Sequence, residues 1–242
     1  MDKEQTWMKR RLGMITASEV GEIMSAKGGI IEGNLSYIRK KRFERRHGYA
    51  LPVSARAMDI GNQQEPMIYE WAKANLGLSG LIYSKDCSEI PFWECEDCPI
   101  GASPDSFTAD ESTVVEFKCL VGNTATEFFM DTYTSYEEKK TAVWKDHGDQ
   151  ILAQFASNPK VEQIFLVKHA PQLDDVMQDT DSPLASWRGV VFQFKREDYV
   201  ESIEVLKERV RLFDAMIDAE INPAEFKKGE WLLDEEGKLR KK

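Results

Sequence analysis

Basic charge is what this 242-residue chain lacks most: 32 Lys and Arg stand against 42 Asp and Glu, a formal net charge of −10. Phosphate partners are usually met by the opposite surplus, so the total alone argues against nucleic acid. Cysteine is scarce too, with 4 residues. With no secretory leader in view, they are expected as reduced thiols or ligands, not as a disulfide framework. Cys95-x-x-Cys98, with Cys87 close by, has metal-ligand spacing but no second pair, and Cys119 lies apart. No zinc or iron–sulfur cluster is expected. No run approaches the ~20 apolar residues of a membrane span. The opening Met1-Asp2-Lys3-Glu4-Gln5 is not a basic segment followed by an apolar run, so the expected location is the cytoplasm, with no membrane partner. Repeats, low-complexity tracts and Pro/Gly-rich linkers are absent as well, which leaves residues 1–242 as one expected domain.

A 42% hydrophobic content is enough to bury a core in a chain of this length. Charge is unevenly spread. Basic residues bunch at Arg39-Lys40-Lys41-Arg42 and Arg45-Arg46-His47, whereas acidic ones crowd Glu94 to Asp97, Asp174 to Asp181 and Glu197 to Glu220. An acidic exterior around a local basic surface is compatible with DNA held in a channel and repelled elsewhere. The basic stretch reads either as a solvated helix face or as phosphate contacts, and nothing suggests base-specific recognition.

Thr16 is a good N-cap type, and Ala17 to Ser25 reads as a short helix ended by Lys27-Gly28-Gly29. Leu35 to His47 predicts a basic helix stopped by Gly48. Gln64 to Leu76 predicts another, with Met67, Ile68, Trp71 and Ala72 at helical spacing before Gly77. Short strands are expected around Gly80 to Tyr83, Ser88 to Trp93 and Ile100 to Ala102, then a firmer one from Thr113 to Cys119. Thr141 to Ser157 reads as a helix, Gln163 to Lys168 and Gly189 to Phe194 as strands, and Glu197 to Ile221 as a helix. The stripe Val200, Ile203, Leu206, Val210, Phe213 and Ile217 on that last helix is ordinary core packing. The tail from Glu230 to Lys242 reads as ordered at a subunit contact or as loose.

Chemistry gathers at Ser103-Pro104-Asp105, followed by Glu116-Phe117-Lys118 on the firm strand. Alternation sends Glu116 and Lys118 to one face and Phe117 to the other. A hairpin between Asp105 and Glu116 would set two carboxylates and an ammonium around one point. Hard oxygen ligands suit Mg²⁺ or Mn²⁺, the Phe117 carbonyl adds another oxygen, and a neighbouring Lys can position or deprotonate a water. An isolated Glu-x-Lys would more often be the solvated face of a half-buried strand.

Pro-Asp, a spacer and Glu-x-Lys form the signature of the PD-(D/E)XK nucleases. Four blocks in order, Arg11 to Glu19, Gly61-Asn62-Gln63-Gln64-Glu65, Ser103-Pro104-Asp105 and Glu116-Phe117-Lys118-Cys119, resemble the lambda exonuclease family of viral recombinases and alkaline exonucleases. The resemblance covers roughly Trp7 to Phe165. It implies an α/β fold, a mixed central sheet flanked by helices around a restriction-endonuclease-like core, with the metal site at one sheet edge. It makes Asp105, Glu116 and the Phe117 carbonyl metal ligands, with Lys118 beside the attacking water and Glu65 near a second metal position. Alone, Glu65 would be a carboxylate favoured at a helix N-terminus. A family Gln on the helix after the catalytic strand matches Gln150, favoured by spacing, or Gln154 one turn on; either alone is a plain helix-surface amide.

Arg11, Ser18 and Ser103 match the family's pocket for a 5′-phosphate, which a helix N-terminus near Ala17 would assist. Thr-x-Ser before a helix is also simply a cap. Arg56 matches a backbone contact and Met58 a wedge between terminal base pairs, although Met58 otherwise reads as core; Lys27 falls near a basic family position. The resemblance further implies two Mg²⁺ ions, with Mn²⁺ as a substitute, and a 5′-to-3′ exonuclease on linear duplex DNA that releases mononucleotides. It also implies a homotrimeric ring, a single-strand annealing protein as partner, and a phage or prophage origin within a bacterial cell. The alternatives are an endonuclease of the same superfamily, a non-catalytic DNA-end-binding protein, and a metal-cluster protein using Cys87, Cys95, Cys98 and Cys119.

Overall fold

The computed structural model describes residues 2–24, 29–50, 56–131, 135–170 and 189–242. Its first helix, α1 (Lys3–Arg11), places Lys9, Arg10 and Arg11 in the last turn, where they complement the carbonyl end of the helix dipole. Ile15–Thr16 forms a short strand, β1, where the sequence predicts a helix about to start. That helix is absent. β1 is committed to pairing with Ile100 and Gly101, and the chain beyond it closes only one 3-10 turn, Val20–Glu22, burying Val20 and Ile23.

Helix α2 (Glu32–His47) stops where expected, at Gly48, whose φ of 62° suits a residue without Cβ. Helix α3 (Arg56–Asn75) begins well before Gln64 and carries Pro66 inside it. Short strands follow: β2 (Leu81–Tyr83), β3 (Trp93–Glu94), β4 (Ile100–Ala102) and β5 (Ser106–Thr108), then the long β6 (Thr113–Cys119). A single turn, α4 (Asn123–Thr126), runs into a π-helical turn over Glu127–Asp131. Helix α5 (Tyr136–Ser157) starts earlier than Thr141 because Ser135 and Glu138 form a reciprocal capping box. Then come β7 (Gln163–His169), β8 (Gly189–Lys195), α6 (Val200–Asp218) and the short α7 (Pro223–Phe226). The tail folds into a hairpin of β9 (Trp231–Leu233) and β10 (Leu239–Lys241).

Five strands form the central sheet in the order β2-β5-β6-β7-β8, with β6 and β7 parallel and the other pairs antiparallel. A smaller sheet, β1-β4-β3, lies beside it. Strand β6 shows why the sheet is two-sided. Val114 joins the large core under α5 and α6, while Val115 and Phe117 join a second core with Ile68, Tyr69 and Ala72 of α3. Helices therefore cover both faces, and the period of two along β6 puts Glu116 and Lys118 on the α5 side. One expectation is corrected here: the site residues sit not at a sheet edge but on the third of five strands.

Three residues of the basic stretch of α2, Lys41, Arg42 and Arg45, are engaged inside the protein. Arg42 donates to the carbonyl oxygens of Met216, Ile217 and Ile221 at the end of α6, at 2.6, 2.8 and 2.7 Å. Arg45 donates to the Gly13 carbonyl and to Asp214 and Asp218, and the buried Lys41 pairs with Glu19 and Glu44, each at 2.9 Å. Those three residues are thus neither a solvated face nor a free phosphate-binding surface, whereas Arg39, Lys40, Arg46 and His47 are exposed. Arg39, Arg46 and His47 line an open cleft with Phe43 and Pro223.

Gly101 sits between β1 and β3, and a Cβ there would lie 2.2 Å from the Phe92 ring. Gly101→Ala is therefore expected to lower stability by about 1–3 kcal/mol through overpacking. Urea denaturation should show a lower midpoint at an unchanged slope.

Candidate active site

Glu116 is 4% exposed, and a carboxylate so buried needs partners. Its Oε1 accepts hydrogen bonds from Lys118 Nζ at 2.9 Å and from Gln150 Nε2; its Oε2 accepts one from Gln154 Nε2. The two glutamines left as alternatives by the sequence therefore both reach Glu116, one turn apart on α5. They differ at Lys118: only Gln150 also accepts from its Nζ, at 2.9 Å. Burial alone would lower the Lys118 pKa, but Glu116 and Asp105, with Glu65 behind them, hold its ammonium above the usual lysine value. Among the described residues two of its three N–H groups are engaged and one remains.

Asp105 stands just before β5, and its Oδ2 accepts the Phe117 N–H at 2.7 Å. Strand β5 pairs with β6 only as far as Val115, so Asp105 takes the place of a backbone acceptor at the next outward-facing amide. The N–H and C=O of one strand residue project to the same side, so the Phe117 carbonyl faces Asp105 as well. Burial, then Glu116 and Glu65, push the Asp105 carboxyl well above its usual range. Glu65, on α3, is held by the Tyr83 hydroxyl at 3.0 Å and by Lys85 Nζ at 2.7 Å. Three carboxylates from three elements thus share one neighbourhood, each turned toward its own donors.

Arg11, Ser18 and Ser103 also come together, through a residue the sequence reading did not single out. Trp7 Nε1 donates to Ser103 Oγ at 2.6 Å, and its ring lies under the Arg11 guanidinium, 4.3 Å from the ring centroid. Arg11 Nη2 in turn donates to Ser18 Oγ at 3.2 Å. Arg11 makes no ion pair among the described residues, whereas Lys40, Lys41 and Arg45 nearby all do. Burial lowers its pKa, and Glu19 and Glu44 act on it only from a distance. The expected help from a helix N-terminus near Ala17 is missing, because that stretch is a turn, and Thr16 Oγ1 bonds Glu19 instead of capping a helix.

Lys27 lies outside the described residues; Arg56 and Met58 lie in the first turn of α3, but their side chains are likewise not described. The four cysteines do not converge. Cys95, Cys98 and Asp97 bring ligand atoms within 4.8 Å of one another, but Cys87 points to the Tyr83 carbonyl and Cys119 packs against the α3-side core. Asp97 is already neutralised by Lys207 and Arg211. Besides Trp7, the sequence reading missed Tyr83 and Lys85. Their one legible signal was position: both lie at or just past the end of a strand.

Solved structures that share this fold include an alkaline exonuclease of Laribacter hongkongensis, LHK-Exo. It is 20% identical and superposes with a TM-score of 0.64 over 93% of this chain and 97% of its own. The same protein in complex with dAMP gives 0.57 at 20% identity, over 88% and 94%. A phage-related exonuclease of Haemophilus somnus, 15% identical, gives 0.58 over 84% and 95%. No protein-family model matches the chain, and a search of curated proteins finds no match. The chain shares the mixed α/β fold of these alkaline and phage-related exonucleases.

Proposed function

We propose that this chain is a metal-dependent 5′-to-3′ exonuclease of the lambda exonuclease family, acting on linear duplex DNA, releasing mononucleotides and leaving a 3′ single-stranded tail. The observation that carries the reading is the closeness of two unlike sites. Ser103, in the Arg11–Trp7–Ser18 group, and Asp105, in the carboxylate group, flank Pro104 and stand at most about 7 Å apart along the chain. A phosphate at the strand end and a phosphodiester about to be cut, one nucleotide apart, would meet these two sites together.

The donor set fits a hard divalent cation: Asp105, Glu116, the Phe117 carbonyl and, for a second ion, Glu65 are all oxygen donors. Burial and the neighbouring Glu116 and Glu65 make the charged form of Asp105 costly, and a bound cation would offset that cost. Bound Mg²⁺ or Mn²⁺ would supply Lewis acidity toward phosphoryl oxygens. Lys118 would present its remaining N–H to the attacking water. Gln150 would hold that amine in place while sharing Glu116, and Gln154 would fix the other Glu116 oxygen. Arg11 would grip the 5′-phosphate with its guanidinium fork, aided by the Ser18 and Ser103 hydroxyls.

The family resemblance extends the proposal to a homotrimeric ring around DNA, a single-strand annealing protein that receives the 3′ tail, and the cytoplasm of a bacterial cell hosting a phage or prophage. Light scattering would test the ring.

Digestion of linear duplexes with 5′-phosphate or 5′-hydroxyl ends, beside closed circles, tests the function. Nucleotides should be released from phosphorylated linear ends and not from circles. Cutting of circles would make the chain an endonuclease, and end binding without turnover would make it a scaffold. Arg11→Ala should remove the preference for phosphorylated ends, at a cost of roughly 10–100-fold on those ends, the worth of a charge-assisted hydrogen bond. Rates on 5′-hydroxyl ends should change far less.

A further inference from the structure

Strand β7 carries a lysine that the chemistry above does not use. In the parallel register of β6 and β7, Lys168 stands directly beside Lys118 on the same face. It is 6% exposed, and its Nζ lies 4.7 Å from the centroid of the Phe128 ring. Among the described residues it makes no hydrogen bond or ion pair, and Asp146 acts on it only at a distance. His147, half-buried one turn before Gln150, also makes no hydrogen bond among the described residues and feels both lysines. Burying an ammonium without a counter-charge is costly, and a second lysine alongside raises the cost. What would complete this corner is an anion.

The order of groups across the sheet says which one. Arg11, Ser18 and Ser103 lie on the β5 side with Asp105, Glu116 and Lys118 occupy β6, and Lys168 lies one strand further, about 4.8 Å away. A DNA strand with its 5′-phosphate at Arg11 and its scissile phosphate over β6 would bring its next phosphate to β7.

We propose that Lys168 and His147 form a second phosphate seat, which takes the backbone phosphate on the 3′ side of the scissile one. The inference rests on the nuclease reading. Lys168 supplies charge and His147 a neutral hydrogen-bond donor, so the cut strand is gripped on both sides of the reacting phosphorus.

The test compares wild type with Lys168→Met, which keeps the stem against Phe128, with Lys168→Arg, and with His147→Gln, using thermal melts to establish folding. Binding of a 5′-phosphorylated duplex is followed by fluorescence anisotropy without Mg²⁺ over a salt series. Mg²⁺-dependent release is followed on DNA with either a normal linkage or an uncharged methylphosphonate at the proposed phosphate. Lys168→Met should flatten the salt slope by about one unit. It should raise KM about tenfold with little change in kcat, and Lys168→Arg should recover most of the loss. The methylphosphonate should cost wild type a similar factor and Lys168→Met nothing further. His147→Gln should raise KM by a smaller factor. An unchanged salt slope and KM in Lys168→Met, or penalties from variant and linkage that multiply, would overturn the seat. If wild type releases no nucleotide from any end, the nuclease reading fails instead, and the salt slopes still decide whether Lys168 meets a phosphate.

Discussion

Lys118→Met is expected to slow Mg²⁺-dependent nucleotide release by about 10²–10⁴-fold, the range for losing a positioned proton-transfer group. Binding of DNA ends in the absence of Mg²⁺ should weaken much less, because the residues proposed to grip phosphate lie elsewhere. Methionine keeps the aliphatic stem and removes only the amine that Glu116 and Gln150 hold. The variant should also lose stability, since Glu116 then keeps only its glutamine donors; about 1–3 kcal/mol is the usual cost of a lost partner at a buried charge. The sign of the pH dependence follows from the raised Lys118 pKa. Its stabilisation is complete below the unfolded lysine value near 10.4 and is lost as pH rises through the higher folded value. The gap between wild type and variant should therefore be level through neutral pH and narrow only in strong alkali. A variant with near-normal turnover would remove Lys118 from the chemistry.

Asp105→Asn is expected to abolish digestion and yet to raise the melting temperature in EDTA. Asparagine can still accept the Phe117 N–H, and it removes a carboxylate held against Glu116 and Glu65. Because burial and these neighbours raise the folded Asp105 pKa, the wild type has its full stability from this group below the unfolded value of about 3.9. That contribution is lost as pH climbs through the folded value. The advantage of the variant should thus appear above about pH 4 and be absent below it. Divalent cation should reverse the order: at 100 times its dissociation constant, a ligand bound only by the folded state adds about 2.7 kcal/mol. Wild type should gain that and Asp105→Asn little. Melts in EDTA, Mg²⁺ and Mn²⁺ would show it, and equal gains in both proteins would remove Asp105 from the cation site.

Strand β6 was legible because it obeys simple rules over a long enough run. Thr113 to Cys119 alternates between two cores, and its bounds agree with the structure at both ends. The short strands β1 and β5 were not read from the sequence, although β2 and β4, no longer than β5, were. Misreading β1 produced the false helix at Ala17 and, with it, a false helix dipole beside Arg11 and Ser18. Trp7 was overlooked because a tryptophan on a short polar helix carries no pattern; only the fold brings its indole to Ser103. Arg42 and Arg45 were misread for a related reason: a basic run looks alike whether it faces water or caps the carbonyls of a helix more than 170 positions away. Gln150 and Gln154 could not be separated because consecutive turns of one helix reach the same carboxylate.

Those contacts of Arg42 also bear on how much of the gene a working protein requires. The last residue with a place in the proposed chemistry is Lys168, but a polypeptide stopping soon after it would be no smaller enzyme. Helix α6 packs on α5, which brings both glutamines to Glu116, and its carbonyl end is closed by Arg42 from α2, the helix whose Arg45 holds Gly13 just past Arg11. Phe226, fully buried with Arg42 over its ring, completes that closure. The indivisible unit therefore extends to at least Phe226, and a frameshift anywhere in the final helices would be as damaging to the fold as one in β6.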